Sequence, residues 1–177
     1  MTYNKYYNSI VSQDMMLKAH TSSPHTTPKP ILVNLHTSPA GDTDIVLASG
    51  GILIMISGQR PQWTRARAAM AGFKLRKDQL LGCKVSLRNS YMWNFLQKLV
   101  DISWVQNREF AGINMKSFDS NGNFSIGCKD LLMFPELKHL WDMVPGVDGL
   151  DMNFVSSNNS RLINICLWSA LQIPVKI

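Results

Sequence analysis

Apolar residues fall along this chain in short runs of differing period, and each run predicts an element. Over 1–20 the spacing predicts a helix with Tyr6, Tyr7, Ile10 and Val11 near one face, and the polar, proline-bearing TSSPHTTPKP behind it predicts a connector. ILVNL at 31–35 has the β-branched content of a strand, and SPAGD after it marks a turn. The apolar run IVLASGGILIMI at 45–56 follows a capping-type start at Thr43. Its β-branched residues suit a buried strand and its length suits a helix, and periodicity does not separate the two. It is too short to span a bilayer, so it reads as a core element.

Period-two alternation appears in FKLR, where Phe73 and Leu75 alternate with Lys74 and Arg76. It appears again in CKVSLR, where Cys83, Val85 and Leu87 alternate with Lys84, Ser86 and Arg88. Successive strand side chains point to opposite faces, so these stretches predict two strands with an apolar inner face and a cationic outer one. KDQLLG at 77–82 would join them as a hairpin tip exposing Leu80 and Leu81. Asn89 and Ser90 are cap residues before YMWNFLQKLVDI, whose Met92, Phe95, Leu96 and Leu99 have helical spacing. NMKSF and NFSIGC flank DSNG at 119–122, and the Asn-Gly pair predicts a second hairpin. LDMNFV at 150–155 alternates once more, and RLINICLWSALQ predicts a closing helix with Ile163, Cys166, Leu167 and Ala170 on one side. Strands and helices interleaved with hairpins predict an α+β fold, an antiparallel sheet with helices packed on one face. The organisation expected is an N-terminal helix and linker over 1–30 and a single domain over 31–177.

Charge changes the picture most between residues 57 and 88. That window holds Arg60, Arg65, Arg67, Lys74, Arg76, Lys77, Lys84 and Arg88 against the single acid Asp78, whereas the rest of the 177-residue chain has ten basic and eleven acidic residues. A solvated protein face normally mixes its signs. Eight cations with one anion repel one another unless a polyanion neutralises them, so the window points to phosphate. Ser57, Gln59, Gln62 and Ser86 add groups able to bond sugars and base edges. Taken alone, Trp63 reads as a packed aromatic rather than a stacking platform, and Asn34 as a turn-forming asparagine at a strand end.

Other chemistries find little support. The three cysteines, Cys83, Cys128 and Cys166, are widely spaced and odd in number, which suits reduced structural thiols better than a disulfide framework or a zinc site. The four histidines show no ligand spacing, so neither a metal nor any other cofactor is expected. No paired carboxylates, activated nucleophile or phosphate-binding loop suggests an enzyme. The N-terminus has the pattern of neither a secretory signal nor a transit peptide, and a soluble chain is expected. A peripheral protein using its basic face on another RNA or on an anionic membrane is the alternative, though it lacks a basic amphipathic helix and lipidation signals.

Several segments also carry a family resemblance. SGQRP, TRARAAMAGFKLR, GCKVSLR, FAGINMKSFDSNGNFSIG and GLDMNF resemble, in order and spacing, the successive signatures of the L-five family of large-subunit ribosomal proteins, across about residues 31–155. The resemblance implies a single α+β domain in the central protuberance that binds 5S rRNA and large-subunit rRNA. It also implies contact with the elbow of the P-site tRNA, with other central-protuberance proteins and, across the subunit interface, with the small-subunit S-thirteen protein. No membrane partner is implied. The segment 43–57 lines up with a family helix, which resolves the apolar run toward helix.

Carried over position by position, the family's RNA-contacting set falls on Asn34, Gln59, Ser86 and Arg88, with Ser86 keeping the hydroxyl of a more usual threonine. Arg60, Arg65, Arg67, Lys74 and Lys84 join them as phosphate contacts. The loop implied to approach tRNA comprises Arg76, Lys77, Gln79, Leu80, Leu81 and Gly82, and the bridge segment contains Arg108, Glu109 and Gly112. HTSPAGD after Asn34 and LKHLWDMVPGVD at 137–148 depart from the family pattern. Those departures, ten methionines and five tryptophans suggest a mitochondrial matrix ribosome, with bacterial cytoplasm or plastid as the alternative.

Overall fold

The computed structural model describes residues 2–20, 23–39, 43–107, 110–143, 146, 147 and 149–176, without the side chains of 140–143. Five strands, β1 (Pro30–Thr37), β2 (Gln62–Arg65), β3 (Leu80–Leu87), β5 (Phe124–Cys128) and β6 (Leu150–Ser156), form one sheet. It is antiparallel, in the order β2-β3-β1-β6-β5. Two short strands, β4 (Ile113–Asn114) and β7 (Val175–Lys176), pair in parallel as a separate ribbon. The α-helices are α1 (Tyr3–Tyr6), α2 (Ser12–Lys18), α3 (Thr43–Ser57), α4 (Asn89–Lys98), α5 (Trp104–Gln106) and α6 (Arg161–Ala170). The α+β class expected from the sequence is therefore present. None of the described helices is long and apolar enough to cross a membrane.

The chain divides into two compact units, each assembled from separated stretches. The first comprises 1–33, 87–126 and 153–177, and the second 34–86 and 127–152.

In the first unit the N-terminal helix buries Tyr3, Tyr7, Val11 and Met15. A stripe recurring every four residues drifts around an α-helix by roughly 40° per repeat, since 3.6 residues make a turn. A π-helical turn over Tyr7–Val11, between α1 and α2, is wider and brings the stripe back into line. Ile10, expected near the buried face, is 52% exposed instead, and Tyr6 is only half-buried. The Tyr3 hydroxyl donates to the Leu171 carbonyl at 3.2 Å, which ties this helix to the end of α6.

Met92, Phe95, Leu96 and Leu99 are buried as their spacing predicts. The cap differs from expectation. Arg88 occupies the N-cap position without a side-chain bond, and Asn89 takes a left-handed φ of 50°. The expected hairpin around DSNG survives only as a turn and an isolated bridge between Phe118 and Phe124. β5 belongs to the large sheet and lies beside β6, while β4 pairs with β7. Phe124 stacks on Phe154 at 4.4 Å, and Trp168 meets both rings edge-on, so aromatic packing outweighs the local hairpin here.

On α6 the buried side is Asn164, Leu167 and Trp168, with Leu171 just past the helix end, whereas Cys166 is exposed and Ile163 half-buried. Buried Asn164 donates through Nδ2 to the carbonyls of Asn121 and Asn158, at 2.7 and 2.6 Å. A polar residue is the pivot of this face, and apolar spacing alone could not mark it.

The second unit is built around α3, which confirms the helical reading of the apolar run. Gly50 explains how a glycine pair survives there, because a Cβ at that position would overlap the Trp63 ring of β2. Trp63 is accordingly a packed aromatic, as its residue type alone suggested. Pro30 and Val33 of the first unit and Leu35 and Thr37 of the second are the buried residues of β1, while β3 buries Cys83 and Val85 before Leu87, which belongs to the first unit.

Candidate nucleic-acid interface

The second strand of the expected basic hairpin is where the sequence placed it. In β3, Cys83 and Val85 are 0% and 4% exposed, while Lys84 and Ser86 between them face solvent. The pleat forces this alternation, so burying the apolar set turns the cation and the hydroxyl outward.

The first strand is not where it was expected. Residues 73–76 form no strand, because Ala71–Phe73 make a 3-10 turn and Lys74 takes a left-handed φ of 55°. The partner of β3 is β2, with Gln62 opposite Lys84, Trp63 opposite Cys83 and Arg65 opposite Leu80. Phe73, expected to face the core, is 75% exposed, and half-buried Leu75 joins it outside the core.

The connection between β2 and β3 is a long excursion, not a six-residue tip. Its base is closed by the Ala66 amide donating to the Gln79 carbonyl at 2.9 Å and the Asp78 amide donating to the Ala66 carbonyl at 3.0 Å. Farther out, Met70 and Leu75 exchange two backbone bonds, both 3.1 Å, around a turn of Ala71, Gly72, Phe73 and Lys74. Arg67, Lys74, Arg76 and Lys77 are all exposed on it, and the Gln79 side chain accepts from the Arg76 amide at 2.9 Å. Leu80 and Leu81, expected at the exposed tip, are half-buried residues of β3. Gly82 is buried in the same strand, where a Cβ would strike the Thr37 carbonyl of β1.

Of the carried-over set, Asn34 and Ser86 come together directly: the Ser86 hydroxyl donates to Asn34 Oδ1 at 2.7 Å. Asn34 is thus a cross-strand partner inside β1 and not the turn former its type suggests in isolation. Gln59 follows the end of α3, where the Ser57 hydroxyl accepts from the Gln59 amide at 3.1 Å and Gly58 takes a φ of 67°. Arg60 and Arg65 are exposed nearby in sequence. Gln62, one of the polar groups the sequence singled out in the window, is exposed, and the strand register sets it opposite Lys84. Arg88 belongs to the first unit, where it is exposed at the start of α4.

Electrostatics sharpen the reading of the window. Among the described residues the ion pair found is Lys18 with Asp14, at 2.6 Å, and none of the eight cations between 57 and 88 is in one. No described cluster of His, Cys, Asp or Glu could hold a metal ion. Arg108 and Glu109 lie outside the described residues. Gly112, with a φ of 97°, directly precedes β4 and lies close against the Pro174 carbonyl.

Residues 80–175 match the family model for the C-terminus of the ribosomal L-five protein family. Over 173 residues the chain is 34% identical to the large ribosomal subunit protein uL5 of Mycoplasma pneumoniae, covering 96% of this chain and 95% of that one. It is also 34% identical to uL5 of Buchnera aphidicola subsp. Schizaphis graminum, covering 99% and 98%. Against uL5 of Clostridium kluyveri the identity is 41% over 131 residues, or 73% of this chain and 71% of the other.

Proposed function

Because this chain belongs to the uL5 family of large ribosomal subunit proteins, structural and not enzymatic, we propose that it binds ribosomal RNA through the outward face of β3 and the cations around it. The observations that carry this reading are the eight basic side chains without an ion pair among the described residues and the bonded, outward Asn34–Ser86 pair of the second unit. In the second unit the cations meet phosphates while Asn34, Gln59 and Ser86 meet sugars or base edges. Arg88, in the first unit, is by itself a planar, bidentate phosphate donor. The RNA is 5S rRNA where the ribosome has one, together with large-subunit rRNA of the central protuberance.

The excursion between β2 and β3 is our candidate for the P-site tRNA contact. Arg67, Lys74, Arg76 and Lys77 can follow a backbone common to all tRNAs without reading its sequence. The tip that does so is the turn at 71–74, while Gln79, at the base of the excursion, holds the Arg76 amide. The segment of Arg108, Glu109 and Gly112 is the candidate contact to the small-subunit S-thirteen protein. On composition we assign the ribosome to a mitochondrion. Fractionation that found the protein in bacterial cytoplasm or plastid ribosomes would reassign the compartment without touching the interface.

Titrating the purified chain with ribosomal RNA fragments over a salt series tests the central reading. About five to eight displaced counterions give a log–log slope of roughly −4 to −6. A flat slope overturns the electrostatic interface.

A further inference from the structure

We propose that the groove between the N-terminal helix and the start of α4 receives a single unpaired nucleotide of the bound RNA. The inference rests on the RNA reading above and adds a second, distinct element to it. The groove lies wholly within the first unit, is open to solvent along one side and has a volume of about 400 Å³. That volume falls within the roughly 300–1,000 Å³ typical of small-ligand pockets.

Its walls carry three kinds of chemistry that one nucleotide would use together. Trp93, half-buried, is the aromatic wall, and buried Tyr7 backs it, the ring centroids 5.4 Å apart at 35°. The Tyr7 hydroxyl donates to the Pro28 carbonyl at 2.8 Å, which fixes that ring and preorganises the wall for a base. Asn4 and Asn8 stand one helical turn apart, and Asn8 Nδ2 donates to Asn4 Oδ1 at 3.1 Å. That bond leaves Asn4 Nδ2 and Asn8 Oδ1 without a partner among the described residues, a donor and an acceptor side by side for a base edge. Lys29 and Arg88, exposed and outside any ion pair among the described residues, supply the charge for the nucleotide's phosphate.

A lipid headgroup or a protein carboxylate would use the two cations and leave both the aromatic wall and the amide pair idle. A stacked, paired base would not enter, because its edges and faces are already occupied. The occupant is therefore a nucleotide extruded from a loop or bulge, the form in which RNA bases are read by stacking and edge contacts.

The test compares the full chain's affinity for a hairpin RNA carrying one bulged nucleotide with that for its fully paired parent, at fixed salt. The bulged RNA is expected to bind about tenfold more tightly, from one added base–aromatic stack. Trp93→Leu and the exposed Asn8→Ala should each remove most of that preference while leaving affinity for the paired parent unchanged. Two variants guard against loss of folding, since Asn8 is exposed and Trp93 is not. Equal affinity for the two RNAs, or equal losses on both from either variant, overturns the pocket and leaves the β3 interface standing. Absence of binding to either RNA overturns both.

Discussion

Lys84 and Val85 are consecutive residues of β3 that face opposite ways, one exposed and one 4% exposed. Their substitutions should therefore separate binding from folding. Lys84→Glu should weaken RNA binding by at least tenfold and leave the thermal transition within a few degrees, since exposed changes usually shift stability by about 0.5 kcal/mol or less. Val85→Asp should unfold the chain, because an unpaired buried carboxylate costs several kcal/mol of a total of about 5–15 kcal/mol. Paired binding and melting measurements decide; a folded Val85→Asp protein would show the strand register to be wrong. Gly50 gives a second case at this scale. Gly50→Ala should destabilise by about 1–3 kcal/mol in denaturant unfolding, because the Trp63 ring occupies the space of the new methyl group. Cys128 gives a third. Burial first, then the carboxylates of Asp130 and Asp151, push its thiol up to about 11. Near neutral pH a thiol-alkylating reagent should modify exposed Cys166 first and Cys128 far more slowly, which mass spectrometry of the time course would show.

At the scale of elements, the N-terminal helix is attached to the end of α6 through the Tyr3 hydroxyl. Burial, with Asp101 and Tyr6 adding repulsion, raises that hydroxyl's pKa from its ordinary 10.0 to about 12. The unfolded chain thus loses this proton first as pH rises. The stability it contributes is complete below about pH 10 and is lost between about pH 10 and about 12. Tyr3→Phe should flatten this alkaline loss in unfolding measurements, and an unchanged pH profile would count against the contact. The excursion between β2 and β3 has backbone bonds of its own at Ala66 with Gln79 and at Met70 with Leu75. Lys77→Ala there should leave docking to ribosomal RNA nearly intact. Arg88→Ala should weaken it by about 1.5–3 kcal/mol through a lost charged hydrogen bond. Equal losses in a particle-incorporation assay would erase this division between loop and interface.

For the whole molecule, what matters is where the charge lies. The 57–88 window is strongly basic while the remainder has one more acidic residue than basic, so RNA attraction should track the window and not the net charge. Neutralising Arg65 or Arg67 to Gln should lower the salt slope by about 0.9 for each cation that meets a phosphate. Neutralising Lys5 and Lys138, outside the window, should leave the slope where it was. Equal effects inside and outside would reduce the interface to nonspecific attraction.

The alternation of Cys83, Lys84, Val85, Ser86 and Leu87 was legible as a strand with a cationic face because burial on one side dictates the other. The spacing of Met92, Phe95, Leu96 and Leu99 was legible as a helix for the same kind of reason, and the clustering of charge needed only counting. Each of these is a local pattern whose meaning does not depend on a distant partner. What tertiary structure decided was pairing. FKLR has the alternation of a strand, yet β3 takes Gln62–Arg65 as its partner, because Trp63 seats against Gly50 of α3 and leaves 66–79 to form the excursion. NMKSF and NFSIGC flank an Asn-Gly turn that predicts a hairpin, but the stacking of Phe124, Phe154 and Trp168 commits β5 to the large sheet. Asn164 turns inward on α6 because two backbone carbonyls await it, one in the Asn121 turn and one at Asn158. A chain can announce which side of an element is apolar, but which element covers that side depends on contacts between residues far apart in sequence, and a local pattern does not contain them.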